Sequence, residues 1–182
     1  MASERPSVID ELLRRVSLGR RARSLGRRAE AREILSSCLA ELLGMPIEQR
    51  DDRAVRLLLA TLFDDLGNLA RLAGQMSEAK SCFDRGMALA AELSAHDADD
   101  ASILALAEAH WNLHLVTEDC TEEVAHLKHA IAVLEPIRER LADSPRFCAV
   151  WGASTEALLR RAADPHHDEA SRALAALVPI RD

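Results

Sequence analysis

Two stretches, LGRRARSLGRRAEA from Leu18 to Ala31 and LGNLARLAGQMSEA from Leu66 to Ala79, lie 48 residues apart without a gap and agree at seven of their fourteen positions. The match runs on to Leu35 opposite Phe83 and Cys38 opposite Gly86. A repeat of this kind marks stacked supersecondary units, each too small to bury its own apolar face. The residue types suit a helical hairpin. Gly74 supplies a left-handed turn between two helices. Gly67 on the first helix lets the second approach closely, and Ala79 is small where the two cross. Phe83 fills the space between them, and Gly86 permits another close contact. Gly26, Gly19, Ala31, Leu35 and Cys38 hold the same places in the first copy.

The composition agrees with an all-helical chain. Of 182 residues, 48% are hydrophobic, dominated by Ala and Leu, with no Tyr, three Phe and two Trp. Ala and Leu favour helices, whereas strands draw on β-branched and aromatic residues. No stretch alternates with period two between hairpin turns. The 29% of charged residues suffices to solvate the surface of a packed domain, so disorder of the bulk is not expected.

Helix signals divide the chain into about eight helices. Ser7 caps the first, to about Ser24, and Gly26 breaks it. A second runs from about Arg28 to Leu43 and stops at Gly44 and Pro46. Asp51 or Asp52 caps a third that ends at Gly74, and Ser77 caps a fourth that fades into Ser94 to Asp100. Asp100 caps a fifth, to near Thr117, and Thr121 opens a sixth, with Glu122 and Glu123 in its first turn. Ser144-Pro145 and Asp164-Pro165 open a seventh and an eighth, each with Pro at the first helical position. Short connections make successive helices antiparallel hairpins, at about 8–44, 51–94, 100–141 and 144–180.

The second copy, with Phe63, Leu66, Gly67, Ala70, Gly74, Ala79, Phe83 and Gly86, resembles the tetratricopeptide repeat. The first copy shares the pattern through Leu18, Gly19, Ala22, Gly26, Ala31, Leu35 and Cys38. Two further copies are degenerate: Trp111, His114, Val124, Leu127, Ala130 and Ile131 mark one, and Leu158, Ala170, Leu174 and Leu177 the other. The pattern departs from the family in three ways. Ala70 stands where Tyr is common, no Pro closes the second copy, and the 48-residue offset exceeds the usual one. The resemblance implies an all-α, right-handed solenoid of about four hairpins spanning residues 1–182 as one domain. It implies a scaffold, not an enzyme, that holds a peptide or helix of another protein in a concave groove.

Carried over residue by residue, the groove-lining positions are Val16, Arg20, Arg23 and Ser24, then Asp64, Asn68, Arg71 and Leu72, then Glu108, Asn112, Leu115 and Val116. Arg23 and Arg71 hold one repeat position, and Arg20, Asn68 and Asn112 another. Arg offers a bidentate fork to a carboxylate, and an Asn amide both donates to and accepts from a peptide backbone. Arg20, Arg23, Asn68, Arg71 and Asn112 are therefore the expected partner-binding residues; the alternative is that they are solvated helix residues. Asp64 and Glu108 stand where the chaperone-gripping members of the family favour basic or neutral residues, so that activity is not implied.

Other features compete for a role. Eight Arg and one acid lie between Leu12 and Arg32, although the net charge of the chain is −7. They read either as a solvated terminal repeat or as a patch for an acidic partner. With the net acidity and no interleaved aromatics, they argue against nucleic acid. Self-association of the basic first hairpin with an acidic third is a further option, as is stacking through the apolar end at Leu174, Leu177, Val178 and Ile180. His110 and His114 share a helix face, and His126 and His129 lie on the next helix. Without HExxH, and with no reason for the pairs to meet, they read as packing residues rather than metal ligands. His166-His167 read as surface residues. Cys38, Cys82, Cys120 and Cys148 lack paired spacing and read as free thiols. No phosphate loop, GxSxG or Cys–His–acid set points to catalysis, and no cofactor is expected. With neither a signal peptide nor an apolar run of spanning length, the expected location is cytoplasmic, with no membrane partner.

Overall fold

A computed structural model describes residues 7–163, and every regular element among them is helical. In chain order these are α1 (Val8–Ser24), α2 (Arg28–Leu43), the short α3 (Ile47–Arg50), α4 (Arg53–Leu72), α5 (Met76–His96), α6 (Asp100–His114), α7 (Cys120–Leu134), a 3-10 turn (Glu135–Ile137) and α8 (Pro145–Ala162). The expected helix from Asp164-Pro165, the end of the fourth hairpin, the apolar run from Leu174 and the His166-His167 pair lie outside the described residues.

Local chemistry sets the helix ends. Ser7 and Asp10 form a reciprocal capping box, each side chain accepting from the other's backbone N–H at 3.1 Å. Asp52 caps α4 through the amides of Ala54 and Val55. Gly26 and Gly74 both take φ of +77°, the left-handed turn that glycine supplies cheaply. Three caps differ from the sequence reading by one or two residues. Helix α5 already begins at Met76, so Ser77 lies inside it. Asp99, not Asp100, caps α6, and Asp119, not Thr121, caps α7. In both cases an upstream carboxylate reaches the third helical amide, Ser102 N or Glu122 N, and wins the position.

The chain divides into two compact units, with the division between Leu93 and Ser94. In the first, α1 packs on α2 and both pack on α4. Leu12, Val16, Leu35, Leu42, Leu58, Leu62 and Leu69 form its core. Val16 is therefore a core residue and not the groove-lining one its repeat position implied; it is 3% exposed. In the second unit α6, α7 and α8 pack together around two clusters. One gathers Leu104, Leu134, Ile137, Phe147 and Val150, the other Val124, Leu127, Ile131 and Leu158.

The repeat glycines make equivalent contacts. A Cβ on Gly67 would lie 2.5 Å from the Phe83 ring, and one on Gly19 would lie 2.8 Å from Leu35. Phe83 and Leu35 are each fully buried. Each large side chain thus occupies the space its glycine leaves. Gly67→Ala should force the Phe83 ring aside and destabilise the first unit by about 1–3 kcal/mol. Gly152 on α8 has nothing within 4 Å of its would-be Cβ. Gly152→Ala should therefore be stabilising by up to about 1 kcal/mol through helix propensity. Thermal melts of the two variants should move in opposite directions.

Candidate functional site

The sequence-predicted residues are mostly engaged inside the protein. Arg20 Nε donates to Asp65 Oδ2 at 2.6 Å and an Arg23 guanidinium nitrogen to Asp65 Oδ1 at 2.8 Å. The Asp65 side chain is only 6% exposed, so α1 supplies both counter-charges to a carboxylate buried on α4. Asn68 turns its amide back to the Asp64 carbonyl on its own helix, at 3.0 Å. Asn112 is buried, at 7% exposure. Glu108 is bound by both forks of Arg146 at 2.5 Å. Arg71 keeps a buried Nε that donates to no described atom. Arg20 and Arg23 come together on Asp65.

The Arg-rich first hairpin is largely neutralised. Arg14 pairs with Glu11, Arg15 with Glu41, Arg27 with Glu30 and Arg32 with Glu78, and Arg28 donates to the Leu72 carbonyl. Later arginines follow suit: Arg56 with Glu92, Arg140 with Asp100, Arg161 with Glu123. Arg21, Arg28, Arg50, Arg71 and Arg85 have no carboxylate partner among the described residues, and of these Arg50 and Arg85 line one cleft.

That cleft belongs entirely to the first unit and measures about 590 Å³. Its floor is Leu59 and Phe63 of α4 with Leu89 of α5, and Leu43 and Ile47 form one wall. Ile47 is 60% exposed and Leu43 46%, an apolar edge left facing water. Arg50 and Arg85 stand at the rim beside Asp51 and the Arg56–Glu92 pair. The Arg50 Nε is buried with no hydrogen-bond partner among the described residues. The Arg85 guanidinium lies 5.8 Å from the Phe63 ring centroid, within cation–π range. Sequence reasoning missed this cleft. Its signal was present in the spacing, since Arg56, Leu59 and Phe63 share one helix face and Arg85, Leu89 and Glu92 another. Only the packing shows that the two faces border one opening.

In the second unit α6 and α7 do bring histidines together. His110 Nδ1 lies 3.2 Å from His126 Nδ1, and the His110 ring centroid is 5.1 Å from that of His129. His114 packs on Trp111 and binds its carbonyl through Nδ1. Among the described residues no group of three or more His, Cys, Asp or Glu is placed to hold a metal ion. The four cysteines are free, and burial pushes the thiols of Cys38 and Cys82 up, away from nucleophilic reactivity. Among the described residues no helix is long and apolar enough to cross a membrane.

Comparison with known proteins returns no match to a family model, a curated protein or a solved structure.

Two predictions follow from these contacts. Arg20→Met with Arg23→Met strands the Asp65 carboxylate and should cost about 3–5 kcal/mol. Adding Asp65→Leu should recover most of that loss, and urea unfolding of the double and triple variants measures both. The second concerns acid. Burial first, then the nearby His129 and His126, depress the His110 pKa to about 4 from an ordinary 6.5. Burial lowers His114 as well. The unfolded chain therefore binds protons that the folded chain refuses, and stability falls as pH drops from about 6.5 towards 4. Both tryptophans, Trp111 and Trp151, lie in the second unit, so their fluorescence reports its unfolding. His110→Gln should flatten the pH dependence of that transition in this window.

Proposed function

We propose that the chain is a protein-binding scaffold of tetratricopeptide-like hairpins that holds a peptide or helix of a partner protein without catalysis. The glycine–large residue pairs at Gly19 with Leu35 and Gly67 with Phe83, and the shared left-handed turns at Gly26 and Gly74, support the hairpin reading. The cleft of the first unit carries the binding reading. An apolar floor with an exposed edge at Leu43 and Ile47 is a surface that a partner's side chains would remove from water, at about 25 cal/mol per Å². Guanidinium groups without carboxylates at its rim add orientation to that gain. The Arg20–Arg23 face supports binding less well, since Asp65 already occupies both forks.

Affinity capture from the native cell, with the wild type beside Ile47→Asp and Arg71→Gln, tests the reading. Ile47 is exposed enough for the substitution to leave the fold intact, which circular dichroism would verify. The expected result is a partner retained by the wild type and Arg71→Gln and lost by Ile47→Asp, then rebinding as a purified protein. A partner lost only with Arg71→Gln moves the site to the face read from the repeat. Light scattering that shows self-association abolished by Ile47→Asp makes the partner a second copy of the chain.

A further inference from the structure

The chemistry of the cleft narrows its occupant, and this step rests on the scaffold reading above. We infer that the partner segment is a short amphipathic one, with bulky aliphatic or aromatic side chains flanked by one or two carboxylates, and that Arg50 and Arg85 receive those carboxylates.

Charge complementarity carries the inference. In this protein, arginine is used above all to bind carboxylates across helices. Arg15 reaches Glu41, Arg32 reaches Glu78, Arg146 reaches Glu108 and Arg161 reaches Glu123. Arg56 at the same rim is already satisfied by Glu92. Arg50 and Arg85 depart from that pattern, as Arg21, Arg28 and Arg71 do elsewhere, and both line this one opening. Arg50 keeps a buried Nε that donates to no atom of the described residues, which costs free energy unless an acceptor arrives. Arg85 is held over Phe63, so its fork is oriented before any ligand binds. A pre-positioned guanidinium loses less entropy on gripping a carboxylate than a free one.

The floor specifies the rest of the segment. Leu59 and Phe63 on one helix and Leu89 on the other offer contacts to apolar side chains and few polar ones. The apolar edge at Leu43 and Ile47 extends that surface outward. The Arg85 guanidinium already faces the Phe63 ring, which leaves that face closed to a stacking nucleobase. A long polyanion is disfavoured as well, because Asp51 and Glu92 line the same opening and would repel further negative charge. One or two acids beside apolar anchors satisfy both constraints. Such a segment would bind as an amphipathic helix or strand does in a groove, with apolar anchors giving affinity and the acids setting orientation.

Selection of random dodecapeptides displayed on phage against the full chain tests this directly. The expected result is enrichment of peptides that place Leu, Ile, Phe or Met next to Asp or Glu. Fluorescence anisotropy on the synthetic winners should show binding that weakens with added NaCl. It should fall about tenfold or more in Arg50→Gln with Arg85→Gln, roughly the worth of one charge-assisted hydrogen bond. Arg50→Lys with Arg85→Lys should recover part of the loss, because the charge returns without the fork. Neutral or basic winners, or equal binding to the Gln variant, would overturn the assignment, as would the absence of any enriched peptide. The scaffold reading survives that failure if Ile47→Asp still releases the captured partner, so the two can be told apart.

Discussion

The interlock of a missing side chain with a large one underlies the first unit. Helix α4 carries no Cβ at Gly67, and the Phe83 ring of α5 occupies that place within 2.5 Å of where the atom would stand. Gly19 and Leu35 do the same between α1 and α2. Such a contact fixes how closely two helices approach and at which point along their length. Everything that depends on helix spacing follows. The floor of the cleft exists because Phe63 and Leu89 are held on adjoining helices whose separation Phe83 sets. Gly86 makes the same kind of approach beside the Ala60 carbonyl, so the close contact is maintained over about two turns of α4.

Charges then settle into that frame. Asp65 is the clearest case, a carboxylate buried at an α1–α4 contact with two guanidinium groups from α1 upon it. A buried charge of this kind adds little stability relative to an apolar residue, but it costs heavily when either side is lost. It therefore pins the register of α1 on α4 rather than strengthening the core. The second unit uses the same device at Glu123 of α7, where Arg161 of α8 donates through both nitrogens. The arginines that look like a basic patch along the chain are thus largely internal struts. What remains for a partner is the small number that the fold does not consume.

Much of the helical framework was legible in residue order. Helix α2 was readable from Arg28 to Leu43 because Gly26, Gly44 and Pro46 act on their own backbone and need no tertiary context. Caps were readable to within a residue or two. Where several acids crowd together, as at Asp97, Asp99 and Asp100, only geometry selects the one whose carboxylate reaches the amide of Ser102. The candidate site was much less legible. Arg20, Arg23, Asn68 and Asn112 were assigned to a ligand from their repeat positions, yet three are committed to Asp65 or the Asp64 carbonyl, and Asn112 is buried. A repeat position carries the shape of the backbone, whereas a polar side chain binds whatever lies within about 4 Å.

By itself, then, the sequence determined that this chain is helical, where its turns fall, and which small residues oppose which large ones. Those properties follow from local dihedral preference and from periodicity along a single helix. The tertiary structure alone decided which arginines are neutralised, that His110 meets His126 and His129, and that two amphipathic faces border one cleft lined by Arg50 and Arg85, which have no carboxylate among the described residues. These outcomes join residues tens of positions apart in the chain. Coulombic and hydrogen-bond partners are chosen by distance in space, and that distance is set only when the helices have packed.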